Sequence, residues 1–210
     1  MDKRQKTIIG RLAKEYADAR SALQYSNPFE LLIATILSAQ CTDKRVNVIT
    51  ARLFPRYGSP AAFADMPAAE LEKLIRDCGL FHAKAKNIKA ACRMLVDKFA
   101  GKVPGGMDDL VSLPGVGRKT ANVVLSQAFG VPAIAVDTHV FRVSHRLGLA
   151  AGADAEKTER ELQELLPRQS WSAAHHWLIW HGRLICRARN PLCGKCLLAD
   201  LCRSEDKKEK

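Results

Sequence analysis

The feature that most limits how this chain can fold lies near its end. Four of its seven cysteines, Cys186, Cys193, Cys196 and Cys202, fall within 17 residues, spaced C-x6-C-x2-C-x5-C. Four thiolates in one short loop suit either a tetrahedral zinc ion or a cubane iron–sulfur cluster. Structural zinc sites more often pair two short C-x-x-C knuckles, and only one such pair is present. Chemistry alone leaves both metals open. The first residues, Met-Asp-Lys-Arg-Gln-Lys-Thr-Ile-Ile-Gly-Arg, lack a long apolar core and a small-residue cleavage site, so no secretory signal is expected. The expected compartment is the cytoplasm, where cysteines bind metals or stay as buried thiols rather than pair as disulfides.

At 210 residues the chain can bury a substantial core, as one domain or two small ones. Its 33 Lys and Arg outnumber 22 Asp and Glu, a net charge of +11. A basic surplus favours a polyanionic partner, nucleic acid before an anionic membrane surface; the plain alternative is a basic solvated surface. No run approaches the ~18 apolar residues of a membrane span.

The pattern is helical nearly throughout, with apolar residues recurring at three and four. Residues 3–18 suit an amphipathic helix, Ile8, Ile9 and Leu12 on one side and basic residues on the other. Asn27 can cap a helix that has Pro28 in its first turn and Glu30 reaching back as in a capping box. Phe29 to Leu37 is apolar on nearly all faces, which predicts deep burial. The next helix, 44–54, is capped by Thr42 or Asp43. Pro60 and Pro67 open short helices, and Gly79 reads as a helix stop. Residues 83–99 suit an amphipathic helix with a basic face of Lys84, Lys86 and Lys89. Cys41 and Cys92 read as buried structural thiols. Helices over 138–147 and roughly 170–186 follow; the histidines of the last, beside tryptophans, read as packing or surface residues.

Between these lies the chemically loaded stretch. Residues 113–124 read Leu-Pro-Gly-Val-Gly-Arg-Lys-Thr-Ala-Asn-Val-Val. Gly115 and Gly117 mark a tight turn, and Arg118, Lys119 and Thr120 then open an apolar helix. A helix N-terminus after a glycine turn offers N–H groups to a phosphate, although such turns also serve as plain loops. Gly130 and Pro132 break the helix, and 136–140 reads Val-Asp-Thr-His-Val.

Together these segments resemble the helix-hairpin-helix and catalytic loop of the endonuclease III family of DNA glycosylases. Four motifs match in order, from about Asn27 to Cys202. The resemblance implies an all-α fold of two helical domains with a DNA-binding cleft between them. One is a six-helix bundle with the hairpin, over 22–131; the other is an iron–sulfur cluster domain, 1–21 plus 132–210. It implies that Lys119 is the nucleophile and Asp137 the catalytic carboxylate. It implies a [4Fe-4S] cluster on the four cysteines, which decides between the two metals. Gln40 is expected to fill the gap left by an extruded nucleotide, and Leu80 to wedge into the duplex. Leu113, Gly115, Gly117, Arg118 and His139 are expected at the DNA, with Arg187, Arg189 and Lys195 meeting phosphates from the cysteine loop. The implied partner is double-stranded DNA with damaged bases or abasic sites, bound by a monomer in a prokaryotic cytoplasm, with the nucleoid and with no membrane.

The residues make chemical sense of these roles. A lysine amine attacks only when unprotonated. Arg118 and the positive helix end disfavour the ammonium form of Lys119, and burial in a pocket would add to this. Asp137 could accept a proton and stabilise positive charge on the sugar, and could equally cap the helix starting near Thr138. The implied reaction is bifunctional: base removal from oxidised pyrimidines, a Schiff base, then β-elimination 3′ to the abasic site. Adenine-excising relatives generally lack a lysine at this position and carry a further C-terminal domain, whereas this sequence ends eight residues after Cys202. A non-catalytic DNA-binding module would need neither Lys119 nor Asp137.

Overall fold

A computed structural model describes residues 1–208, all of whose regular elements are helical. The chain forms two compact units, one from Ser21 to Val131 and one from Met1–Arg20 joined by everything from Pro132 onward. The second starts with α1 (Lys3–Glu15). Asp2 caps it by accepting the Gln5 N–H at 2.7 Å, and the Gln5 side chain accepts the Asp2 N–H at 3.0 Å. This satisfies two of the amides left over at a helix start.

The Ser21–Val131 unit is built on α2 (Pro28–Ser38). Asn27 accepts the Glu30 N–H at 2.9 Å. The Glu30 carboxylate takes the Ser26 N–H at 2.7 Å, one residue earlier than a capping box would place it. Phe29 and every residue from Leu31 to Leu37 are buried, as an all-round apolar helix requires. Around it come α3 (Asp43–Leu53), α4 (Pro60–Asp65), α5 (Ala68–Leu74), α6 (Phe81–Phe99), α7 (Met107–Ser112) and α8 (Arg118–Ala128). Helices α3, α6 and α8 pack directly on α2, while α4 and α5 pack on α6. Each fully buried Leu or Ile contributes on the order of 1.5–3 kcal/mol here.

The expected basic face of α6 is not a solvated stripe. Lys84 is buried and its Nζ donates to the Leu37 carbonyl at 2.8 Å. The Lys89 Nζ donates to Ala64 O at 2.8 Å, and to Met66 O. Both amines therefore close the C-terminal ends of neighbouring helices, where carbonyls lack intrahelical partners and cations are favoured.

In the other unit, α9 (Thr138–Arg146), α10 (Ala155–Leu165) and α11 (Trp171–Leu184) join α1. Ile8, Leu12, Val140, Val143, Leu178 and Leu198 belong to its core. Gly182 lets α9 approach α11, because a Cβ there would meet Val143 Cγ2 at 3.0 Å and His139 Cβ at 3.1 Å. The basic side of α1 is also committed. Arg11 pairs with both Asp200 oxygens, at 2.6 and 3.0 Å, and donates to Leu197 O. Arg4 donates to Leu147 O at 2.9 Å and Leu201 O at 3.0 Å. Helix α1 thus holds the loop that carries the last two cysteines of the cluster.

Candidate DNA interface and iron–sulfur site

Helices α7 and α8 pack against each other with the Leu113–Gly117 turn between them, a helix-hairpin-helix. Gly115 sits at φ +80°, where a side chain is strained, and a Cβ there would strike Asn87 Cβ at 2.8 Å. The glycine therefore serves both backbone shape and close seating on α6. The N-cap, Gly117, has no side chain to cap α8, and no acidic residue lies in its first turn. The dipole of such a helix start favours an anion. Arg118 and Lys119 are exposed at the same helix end.

One expectation about this turn needs correction. Leu113 is 1% exposed, and its N–H is spent on Leu110 O at 3.1 Å, so it anchors the turn rather than touching DNA. The Lys119 side chain is exposed. For Gly115→Ala we expect a left-handed penalty of about 1–3 kcal/mol, with Asn87 displaced besides. A lower unfolding midpoint, together with weaker binding to an abasic-site duplex, is the result to look for; an unchanged midpoint would refute the seating argument.

Gln40 and Leu80 have a common peculiarity. Both are exposed, both lie in short connections, and both occupy left-handed backbone, at φ 53° and 58°. Leu80 is 59% exposed, far more than a core leucine tolerates. The two connections touch, since a Cβ on Gly79 would stand 3.5 Å from the Gln40 carbonyl oxygen. Strained non-glycine residues persist where surroundings over-determine them, and they cluster at functional sites. Composition alone gave no hint of this strain.

Asp137 is the N-cap of α9: Oδ1 accepts the His139 and Val140 N–H groups at 2.8 Å each. Oδ2 lies 3.4 Å from His139 Nδ1. A carboxylate so placed is oriented, and an anion suits a helix start.

The four cysteines line one cavity with Leu147, Ile185 and Pro191 among its walls. Four thiolates around one cavity suit a cluster in which each holds a different iron. The donors around them also fit. His181 Nε2 and the Leu198 N–H approach Cys196 Sγ at 3.6 and 3.4 Å, and Arg146 Nη1 approaches Cys186 Sγ at 3.6 Å. Burial pushes the His181 imidazole down to about 4 and the Tyr16 phenol up to about 12. The neutral ring therefore accepts from Tyr16 through Nδ1, at 3.1 Å, and points its N–H at sulfur. Arg142 donates to Cys186 O at 3.1 Å and Arg146 to Arg187 O at 2.7 Å. Cationic neighbours of the cysteine loop thus come from α9, which the spacing of the cysteines could not reveal. Arg187, Arg189 and Lys195 are exposed on the loop itself.

Comparison with known proteins agrees with this geometry. Residues 33–168 match the model of the HhH-GPD superfamily of base excision DNA repair proteins, and residues 186–202 match the iron–sulfur binding domain of endonuclease III. Endonuclease III of Haemophilus influenzae is 50% identical over 202 residues, 96% of each chain. That of Escherichia coli K12 is 46% identical over 200 residues, 95% of each. A solved structure described as a trapped endonuclease III–DNA covalent intermediate superposes with a TM-score of 0.92, at 50% identity over 97% of both chains. The fold and site define a helix-hairpin-helix base excision repair protein. Within that class, the chain belongs to the endonuclease III family, and it carries a [4Fe-4S] cluster, with residues 186–202 as its iron–sulfur binding domain.

Proposed function

We propose that this DNA glycosylase/AP lyase of base excision repair removes oxidised pyrimidines from duplex DNA, with Lys119 as nucleophile and Asp137 as the catalytic carboxylate. One observation carries the assignment: the exposed Lys119 side chain stands in the first turn of the helix that the glycine turn opens, the end at which the helix dipole favours a phosphate. Holding the backbone there sets the amine beside the sugar of a neighbouring nucleotide. The damaged nucleotide is flipped out of the stack. The Lys119 amine attacks C1′, the base departs, and the opened sugar is held as a Schiff base. Loss of a C2′ proton then expels the 3′ phosphate by β-elimination. Asp137 takes a proton and stabilises the positive charge that develops on the sugar.

Gln40 and Leu80 fill the space the nucleotide leaves, their strained turns holding them ready. Gly115, Gly117 and Arg118 hold the backbone; His139, Arg187, Arg189 and Lys195 add contacts to DNA. The cluster, when bound, shapes the loop from Cys186 to Cys202 and takes no part in base removal. The protein acts as a monomer with the nucleoid in the cytoplasm, and its net charge of +11 favours the duplex. Borohydride trapping on damaged DNA tests the lysine, and duplexes with one defined lesion each test the substrate class.

The capping role of Asp137 separates from its chemistry. Asn keeps an oxygen for the His139 and Val140 amides but carries no charge and takes up no proton. Asp137→Asn should keep the unfolding midpoint while base release falls about 10²–10⁴-fold. Wild-type rates in this variant would leave the carboxylate with the cap alone.

A further inference from the structure

Lysine is almost never buried without a partner, because taking its amine out of water is costly. Lys84 is 5% exposed, although it lies one turn from the exposed Leu80 at the start of α6. Its two donors go in two directions. The backbone N–H donates to Leu80 O at 3.0 Å, and the side-chain Nζ donates to Leu37 O at 2.8 Å. Leu37 O is open to the amine because the chain turns there. The Cys41 N–H that a continued helix would send to it goes to Ser38 O instead, at 3.1 Å. Helix α2 has no basic residue in its own last turn, so the amine from α6 stands where a helix end favours a cation. Cys41 is half-buried, not buried as its sequence context suggests.

We propose that Lys84 is a positioning residue: it locks the Gln40 and Leu80 turns to each other, and so sets how sharply the protein distinguishes a duplex with a gap in its stack from an intact one. The proposal rests on the reading of Gln40 and Leu80 as the residues that fill that gap. Left-handed backbone at a non-glycine residue persists only where its surroundings over-determine it. At Gln40 the fixed points are Leu37, whose carbonyl Lys84 holds, and Gly79, whose Cβ would stand 3.5 Å from the Gln40 carbonyl oxygen. At Leu80 the fixed point is its own carbonyl, held by the Lys84 N–H, while no side chain caps this end of α6. The N–H bond is one that almost any residue at 84 would make. The Nζ bond needs a long side chain that ends in a donor. Removing the amine therefore leaves α6 its own hydrogen bonds and cuts only the tie to the end of α2. Lys86, two residues on, is exposed and serves as the control for loss of charge alone.

The test uses the whole protein with its cluster, well below its unfolding midpoint. It reads affinity for a duplex with a stable abasic-site analogue and affinity for the same duplex undamaged. It also reads the fluorescence of a 2-aminopurine opposite the analogue, which changes when side chains enter the stack beside it. Lys84→Met is similar in length and has no donor. It should lower the ratio of abasic to undamaged affinity about tenfold, as ångström misplacement of contact groups predicts. Affinity for the undamaged duplex, set by phosphate contacts, should stay as in wild type. Most of the fluorescence change at saturating protein should be lost. Lys84→Gln, whose amide nitrogen sits one bond nearer the backbone, should lower the ratio less, and it stands in should Lys84→Met fail to fold. Lys86→Met should keep both the ratio and the fluorescence change. Equal losses on the two duplexes, or a wild-type fluorescence change in both Lys84 variants, overturn the proposal and leave Lys84 as a helix cap alone. The same loss of ratio in Lys86→Met overturns it too, by assigning the effect to charge. Gln40→Ala and Leu80→Ala test the reading beneath it. If neither lowers the ratio, that reading fails and the proposal with it; if both lower it and Lys84→Met does not, the positioning role alone fails. Borohydride trapping through Lys119 is independent of all these results.

Discussion

With Lys119 replaced by alanine, the protein should fold, bind damaged duplex, and give no borohydride-trapped adduct. The side chain is exposed in the first turn of α8, and Ala is a strong helix former, so stability should change by about 0.5 kcal/mol or less. Strand cleavage should fall by about 10³-fold or more, the scale on which a missing covalent nucleophile is felt. Arginine at the same position is the sharper control. It keeps the charge and the reach toward phosphate, but a guanidinium never gives up its proton to become a nucleophile. Lys119→Arg should therefore be as inactive as Lys119→Ala while binding with wild-type salt dependence. If the lysine only held a phosphate, Lys119→Arg would be active and Lys119→Ala would merely lower the salt slope by about one unit.

The second large effect belongs to the cysteines. Cys196→Ala should abolish iron binding, because the remaining three thiolates leave one iron without a protein ligand and the His181 and Leu198 donors without their acceptor. Binding free energy at a structural metal centre is folding free energy. The loop from Cys186 to Cys202 should loosen, and with it the Arg11–Asp200 and Arg4–Leu201 attachments of α1. We expect a loss of at least ~4 kcal/mol, or about 10 °C or more in Tm for a chain of this size. The Ser21–Val131 unit, with its own core on α2, should keep its protection against hydrogen exchange. Iron-to-protein ratio, calorimetry and exchange together check this; unchanged iron content, or an unchanged Tm without iron, would refute it.

Much of this was readable before any coordinates. The Asn27–Pro28 start, the all-apolar α2, the glycine turn and the cysteine spacing are local signals, each decided by residues within a few positions of one another. What escaped reading depends on partners distant in sequence. Lys84 and Lys89 look like a solvated face because helical periodicity reports direction, not reach, and a four-carbon stem can carry an amine to another helix's carbonyls. Leu113 sits inside the motif that contacts DNA in the family, yet its side chain and amide are both used internally. The left-handed backbone of Gln40 and Leu80 has no glycine or asparagine to announce it; the surrounding packing imposes it. Arg142 and Arg146 reach the cysteine loop from α9, a relation that exists only after folding.

The bond between Arg11 and Leu197 spans 186 residues. At ribosomal speeds of about 5–20 residues per second, the first helix waits on the order of 10–40 s before the segment it grips has been made. Through that interval its apolar stripe of Ile8 and Leu12 has no permanent cover, while the Ser21–Val131 unit already has its whole sequence available. Synthesis thus sets a timetable in which the hairpin bearing Lys119 is complete first, and delivery of iron and sulfide to the last-made cysteines closes the fold.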